Sequence, residues 1–466
     1  MQTPQNNEAS VPIRLTTKSL TYAIPDSKYF IPADWRRFHL SQLINKVLQH
    51  AQDASVPFDF IIQQELLRTS VGEFIKSKGI SEETLLEIEY IPSILPPSLA
   101  GSFQEEGWIS DVLLNPDGRY LTSSYANNTG VMSAAGTQDY RLGSPHSHPI
   151  LSSCWIPPSS TSLNSVPSSS WISTAGMDGV VRIWDVSTSK TGMDDDSDPQ
   201  VLYRLTLHES AVHSVRSSLQ SRKLLTAGAD GVIGFYNIDQ QEDLSLLEVE
   251  DEDGAVKSGT DRKKRRRKEQ KEQNSTSGIK LRPTGVLRGH VGTISRAIVD
   301  KNNDSKAYSA GWDHSVRSWS LELEQEISSK VSDKVILDMD QTENSDVVVT
   351  GSMDRTVCFW DLRQETSIIS TTLHGHTAPV SAIKSHPKSP LLVVSGSYDS
   401  TLRIWDARSP KQSLFTIQRP DKSSMHTNGK ETTIPLQQKI LCVDWDGEKI
   451  ISGGQDGMVC IHKATV

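Results

Sequence analysis

Apolar and polar positions alternate in short runs along most of this chain, and the runs recur with one shape. VRIWD, SVRSWS, TVCFWD and TLRIWD each close a segment that opens on a turn. Alternation with period two predicts strands with one buried face. An Asp stands six positions before an aromatic in four of these segments: Asp178…Trp184, Asp313…Trp319, Asp354…Trp360 and Asp399…Trp405. Asp230…Tyr236 and Asp456…His462 are weaker copies. Ala126…Met132 is a degenerate one, marked by Ser124-Tyr125, which matches Ser397-Tyr398. Trp319, Trp360 and Trp405 are 41 and 45 residues apart. A repeat of about 40–45 residues with these signatures implies a β-propeller with one four-stranded blade per repeat.

Seven blades are expected, over residues 107–142, 146–189, 203–240, 285–322, 323–365, 370–410 and 412–466. The last holds three strand candidates, ILCVDW, KIISGG and MVCIHK. An open ring would leave unpaired strand edges. A segment near residues 96–106 is therefore expected to supply the missing outer strand.

Residues 11–92 lack the repeat. VPIRLTTK (11–18) is strand-like, and His39–Gln52 has Leu40, Leu43, Ile44, Val47 and Leu48 at helical spacing. FDFIIQQELL (58–67) reads as one or two strands. Ser70 and Glu73 have capping-box spacing and open a short helix, for which Gly79 is a fitting stop. TLLEIEYI (84–91) is a final strand. The order ββαβ(α)β is that of a β-grasp. The fold class is thus mainly β, a seven-bladed propeller preceded by a small α+β ubiquitin-like domain. Residues 1–10 are expected to be disordered, 93–106 to be a Pro-rich linker with the closing strand, and 107–466 to be the propeller. Within it, 157–170 is Ser/Pro-rich and expected to be a mobile loop. Residues 241–282 place seven acids between Glu242 and Asp253 ahead of seven consecutive bases, and such a tract is expected to be disordered.

Net charge is −9, so no global basic field favours nucleic acid. The four cysteines lie in apolar segments without C-x-x-C spacing, which predicts buried thiols in a reducing compartment and no zinc site. Neither a signal-peptide core nor an apolar run of membrane-spanning length occurs, so an intracellular, soluble protein is expected.

The repeated Asp residues look catalytic only singly. In a blade, each sits in the turn between the second and third strands, where it can accept backbone N–H bonds and face a His. His290 stands 23 residues before Asp313, His376 stands 23 before Asp399, and His208 stands 22 before Asp230. These residues read as scaffold. His146-Ser147-His148 suggests a metal, but it occupies the same blade-entry position. No G-x-S-x-G, Walker A or dinucleotide fingerprint occurs, so no enzyme is expected. Trp108, Trp155, Trp171 and Trp312 lie outside the repeat and are open to core or interface roles, with core favoured for Trp155. The run Arg262, Lys263, Lys264, Arg265, Arg266, Arg267 and Lys268 reads as a nuclear import signal, with direct rRNA phosphate contact compatible and a merely solvated charge block as the bland alternative.

The stretch PFDFIIQQELLRTSVGEFIKSKGISEETLLEIEYIPSILPP (57–97) resembles the ubiquitin-like NLE domain found ahead of WD40 propellers in two ribosome-assembly proteins, Notchless and the WD-repeat subunit of the PeBoW complex. Seven blades and a charged insertion favour the second, and eight would favour Notchless. The resemblance implies a non-enzymatic assembly factor of the 60S subunit, needed for pre-rRNA processing, in the nucleolus and nucleoplasm. It implies partners: the block-of-proliferation propeller, Pescadillo, the pre-60S particle and the AAA+ ATPase midasin, with no membrane. Midasin is expected to grip the ubiquitin-like domain through a divalent ion, Mg²⁺, which a carboxylate of this chain helps to coordinate in trans. The position matching that carboxylate is Glu83, with Glu82 as fallback. Arg68, Lys76 and Lys78 are expected to contact the acidic surroundings of that ion. A generic WD40 adaptor, such as a ubiquitin-ligase substrate receptor, is the competing class.

Overall fold

The computed structural model describes residues 10–49, 56–81, 83–115, 117–133, 138–142, 146–157, 171–186, 200–239, 278–343, 346–363, 369–419 and 438–464. The N-terminal domain contains β1 (Ser10–Thr16), β2 (Lys28–Pro32), α1 (Arg37–Val47), β3 (Phe58–Ile62), β4 (Glu65–Leu66), α2 (Val71–Lys78) and β5 (Leu86–Pro92). The sheet order is β2-β1-β5-β3-β4. β1 and β5 run parallel, while their other pairings are antiparallel, which is the arrangement of a β-grasp. Ser10, placed by sequence in a disordered terminus, already pairs with Pro32. Val11, Ile13, Phe58, Phe60, Ile88 and Tyr90 alternate onto one sheet face and pack against Leu40, Ile44, Phe74 and Ile75 of the helices.

The helices differ from their expected bounds for local reasons. α1 stops at Val47 rather than reaching Gln52, and Gln49 adopts positive φ just beyond it. It begins early because the Arg36 N–H donates to His39 Nδ1. α2 opens on a reciprocal cap, in which the Glu73 N–H donates to Ser70 Oγ and the Ser70 N–H to Glu73 Oε2, each at 3.3 Å. Gly79 closes it at φ 66°, where a side chain would be strained.

Among the described residues, seven further sheets form the ring. Their innermost strands are Ile109–Leu114, Ile150–Ile156, Val212–Ser217, Ile294–Val299, Ile336–Gln341, Val380–Ser385 and Ile440–Trp445. Each lies beside the next, and the last lies beside the first. The first sequence repeat, 107–142, is a whole blade, but from residue 203 on the repeats are shifted by one strand from the blades. Residues 285–322, for example, carry the outer strand of blade three (Gly285–Arg288) and the three inner strands of blade four. In these shifted repeats the signature runs from one outer strand into the next blade, so each of them ties two blades together. The last repeat consequently lacks an outer strand of its own. β6 (Ser98–Gln104) fills that place, pairing antiparallel with Met458–Lys463.

The expectation of disorder throughout 241–282 needs correction. Residues 240–277 lie outside the described residues, as does the loop 158–170, but Ile279–Leu281 is a strand. It adds in parallel to the outer edge of blade two, at Tyr203–Leu205. Leu281 is buried there among Tyr203, Leu205 and Ile238, so apolar burial overrides the polar composition upstream.

Candidate functional site

Three sets of residues need placing: the repeated Asp, His and Trp, the blade-entry face, and the turn that carries Glu83. The first set forms a recurring network in four of the blades. In blade four, His290 Nδ1 lies 2.8 Å from Asp313, His290 Nε2 lies 2.6 Å from Ser309 Oγ, and the Trp319 indole N–H donates to Ser309 Oγ at 2.8 Å. His376, Asp399, Ser395 and Trp405 repeat this geometry, as do His146, Asp178, Thr174 and Trp184. His208, Asp230 and Thr226 repeat it without the indole, because Tyr236 stands in its place. The chain of donors closes when the imidazole is neutral with its proton on Nδ1: indole to hydroxyl, hydroxyl to Nε2, Nδ1–H to carboxylate. Burial pushes His146, His208 and His290 below the ordinary imidazole value despite the adjacent carboxylate. Burial would raise the Asp178 and Asp399 carboxyls, but the hydrogen bonds from His146 and His376 help hold them well below the usual range. Both ring nitrogens of His146 are engaged, so its pairing with His148 offers no metal site.

Three blades depart from this pattern, and in blade one Ala126 stands at the turn position, so that blade has no turn carboxylate for a histidine to face. Asp354 takes its bonds from the Thr356 N–H and hydroxyl, and Trp360 donates to Thr350. In blade seven, Arg419 donates to Asp456 at 3.2 Å and to the Met458 carbonyl, and His462 stands where the others have an aromatic. Carboxylates also staple neighbouring blades at the channel. Asp111 accepts from the Ser153 N–H and Arg216, Asp338 from the Ile383 N–H, and Asp444 from the Leu114 N–H across the ring's seam. The four cysteines are buried free thiols, which burial pushes upward, so they are poor nucleophiles.

The blade-entry face has its own repeat. The residue before each turn position donates its N–H to the residue that precedes the innermost strand: Tyr125 to Trp108, Met177 to Pro149, Trp312 to Thr293, Met353 to Val335 and Tyr398 to Pro379. This bond fixes five large side chains around one mouth of the channel. Trp108 and Trp312 are each 50% exposed, and Tyr125, Met177 and Met353 are exposed beside them. Trp108 packs edge-on to Tyr125, and Trp312 lies against His213. Large apolar side chains exposed together at one face mark candidate partner contacts. By contrast, Trp155 and Trp171 are half-buried under the guanidinium groups of Arg119 and Arg222.

Glu83 lies in the turn Ser81–Thr84 between α2 and β5, closed by a Thr84 N–H bond to the Ser81 carbonyl. The side chain is exposed. Among the described residues its carboxylate has no hydrogen-bond or ion-pair partner, and no group of three or more His, Cys, Asp or Glu could hold a metal. One carboxylate supplies at most two of the six oxygens a Mg²⁺ ion needs, so the donor set fits a ligand completing another protein's site. Glu82 lies outside the described residues, as do Arg262–Lys268. The expected role of Arg68 and Lys78 near such an ion is corrected. The Arg68 guanidinium donates to the Ser413 and Leu414 carbonyls, and Lys78 pairs with Glu65 at 2.7 Å. Lys76 is exposed.

A β-grasp fused to a seven-bladed ring defines a class, the WD-repeat propellers with an N-terminal NLE domain. The NLE (NUC135) domain model matches residues 11–75, and the WD domain, G-beta repeat model matches 144–185, 324–361 and 368–406. The chain is similar over nearly its whole length to curated relatives. It is 30% identical to ribosome biogenesis protein ytm1 of Schizosaccharomyces pombe, covering 98% of this chain and 96% of that protein. It is 30% identical to YTM1 of Laccaria bicolor (96% and 94%) and 31% identical to YTM1 of Coprinopsis cinerea (94% and 91%). The chain belongs to the ribosome biogenesis protein YTM1 family.

Proposed function

We propose that this protein is a non-enzymatic assembly factor of the large ribosomal subunit, acting in the nucleolus and nucleoplasm within a PeBoW-type complex and needed for pre-rRNA processing. The ring is a binding platform. Its exposed tryptophan and methionine crown supports docking of the block-of-proliferation propeller, which joins it to Pescadillo and the pre-60S particle. The ubiquitin-like domain presents Glu83 to the divalent ion held by midasin, and ATP-driven pulling at that contact strips the complex from the particle.

The observation that carries this reading is the Glu83 turn: an exposed carboxylate, unpaired among the described residues, at the apex of a domain of the NLE family. Full-length protein is captured by immobilised midasin adhesion-site domain in Mg²⁺ and released by EDTA. Glu83→Gln keeps the size of the side chain and removes its charge, so capture is abolished while the thermal midpoint is unchanged. Undiminished, EDTA-sensitive capture of Glu83→Gln overturns the assignment.

A further inference from the structure

The Glu83 turn has two stems, α2 before it and β5 after it, and both are tied to the same loop of the propeller. That loop, residues 407–414, joins the third strand of blade six (Thr401–Asp406) to its outer strand (Phe415–Gln418). On the first stem, Lys78 in the last turn of α2 binds Glu65 at 2.7 Å, and the other oxygen of Glu65 binds Lys411 at 2.9 Å. Glu65 is therefore a bridge between α2 and blade six. Lys78 and Lys411 hold its carboxyl below the ordinary glutamate value. On the second stem, Glu89 of β5 lies 3.7 Å from Arg408. Arg68, just ahead of α2, donates to the Ser413 and Leu414 carbonyls at 2.7 and 3.2 Å.

Apolar burial continues the contact. Leu66 and Ile94 pack with Leu414, Trp445 and Ala464 in one cluster. Asp59, Ile61 and Ile91 alternate to the face of the sheet opposite its own core, yet all three are buried. The side of a β-grasp sheet that carries no helix is ordinarily open; here the propeller covers part of it. Burial raises the Asp59 carboxyl, and Asp406 of blade six adds to that rise.

We infer that Arg68, Glu65 and Lys411 are positioning residues for Glu83, fixing the ubiquitin-like domain on blade six so that load applied at the Glu83 turn enters the propeller through loop 407–414 rather than through the linker after β5. The inference rests on the proposed pulling role of Glu83. The dock itself does not. A domain held by a flexible tether alone would swivel under load, whereas bridges on both stems keep the turn in one orientation relative to the ring.

The test uses full-length protein. Lys76→Cys and Lys388→Cys, both at exposed positions on the two domains, carry a fluorescent donor and acceptor, with the native thiols buried. Transfer efficiency is narrow and high in the parent and becomes broad and low in Arg68→Ala/Lys411→Glu. The same double variant is still captured by the adhesion-site domain in Mg²⁺, because Glu83 is untouched. Its ATP-driven release from pre-60S particles falls to the level of Glu83→Gln. Inverting the triad (Glu65→Lys, Lys78→Glu, Lys411→Glu, with Arg68 retained) restores both the transfer distribution and release, which a general folding defect would not. Unchanged transfer in Arg68→Ala/Lys411→Glu overturns the dock, and parental release from an undocked variant overturns its positioning role. Capture of Glu83→Gln would refute the pulling reading and leave the transfer measurement standing.

Discussion

Arg419 Nη2 lies 3.2 Å from Asp456 Oδ1, a buried ion pair in the blade that closes the ring, where other blades set a histidine against the turn aspartate. Arg419 follows the outer strand of blade six, so the pair links blades six and seven. It also donates to the Met458 carbonyl, in the strand that receives β6. Removing one member of such a pair strands the other charge in low dielectric. Arg419→Ala is expected to destabilise the protein by about 3–5 kcal/mol, and Arg419→Ala/Asp456→Ala by less than the single change. Urea titrations of the parent, Arg419→Ala, Asp456→Ala and the double variant check this. A double variant weaker by the sum of the singles refutes coupling.

The blade networks predict an uneven cost for one substitution. Asp313 is held by His290 and by the Ser315 side chain and backbone, whereas among the described residues Asp354 faces no histidine and is bound by Thr356. Asp313→Ala leaves the buried His290 Nδ1–H without its acceptor, at about 1–3 kcal/mol. Asp354→Ala is expected to cost less, since no buried histidine is orphaned and the Thr356 hydroxyl keeps Cys358 Sγ at 3.5 Å. Equal losses in thermal midpoint would contradict the network as drawn.

Stability should fall with acid in a defined window. His462 is pushed down to about 4 by burial, with the nearby Arg419 charge adding to the effect. His146, His208 and His290 are also lowered by burial. A histidine whose folded value lies below its unfolded one binds protons preferentially in the unfolded chain. Its neutral form thus contributes no penalty above about pH 6.5, and stability is lost as pH falls below that value. For His462 the loss runs to about pH 4 and amounts to roughly 3 kcal/mol. The lowered Asp178 and Asp399 carboxyls add a second loss below the ordinary aspartate range. His462→Phe should flatten the first limb between pH 6.5 and 4.5, read as the urea midpoint. Parallel curves for parent and variant would remove His462 as a cause.

Ring closure gives a fourth expectation. β6 covers the edge of Met458–Lys463, and Phe103 packs against the cluster of Val112, Tyr120 and Val459. A fragment of residues 105–466 exposes that edge and should melt earlier and aggregate more than residues 93–466. Equal melting and solubility would show that β6 is dispensable.

The propeller was legible because most blades solve the same problem with the same residues. The aspartate, the hydroxyl and the indole must recur at fixed spacing for the hydrogen bonds to close. The β-grasp was legible from period and capping, with α1 misjudged because apolar spacing alone does not locate a stop such as Leu48–Gln49. What escaped notice depends on partners distant in sequence. Arg68 and Lys78 look like free surface bases until the fold brings Ser413 and Glu65 to them. Arg419 sits before an insertion with nothing to mark it as the counterpart of a histidine. Ile279–Leu281 is a three-residue strand at the end of a charged tract, too short for periodicity to reveal. The crown escaped because its chemistry varies from blade to blade while only its position repeats. Its visible traces were the non-repeat Trp108 and Trp312 and the pairs Ser124-Tyr125 and Ser397-Tyr398.

That positional repeat supports the last prediction. Trp312 is held by its backbone bond to Thr293 and leans on His213, but half of its indole faces solvent beside the channel mouth. The other blade tryptophans, Trp319, Trp360 and Trp405, are fully buried and donate to a hydroxyl. An exposed indole fixed by its backbone has lost little freedom still to be lost on binding, which favours an anchoring role. Trp312→Ala is therefore expected to leave the thermal midpoint within about 0.5 kcal/mol of the parent, as for surface changes. It should weaken binding of the partner proposed above, the block-of-proliferation propeller, by about 2 kcal/mol or more, some thirtyfold in Kd. Trp319→Ala should do the reverse, costing about 3–5 kcal/mol of stability because it empties a core site. Calorimetric titration of the partner propeller into each variant separates the two. Unaltered affinity in Trp312→Ala and Met353→Ala together would move the docking surface off this face.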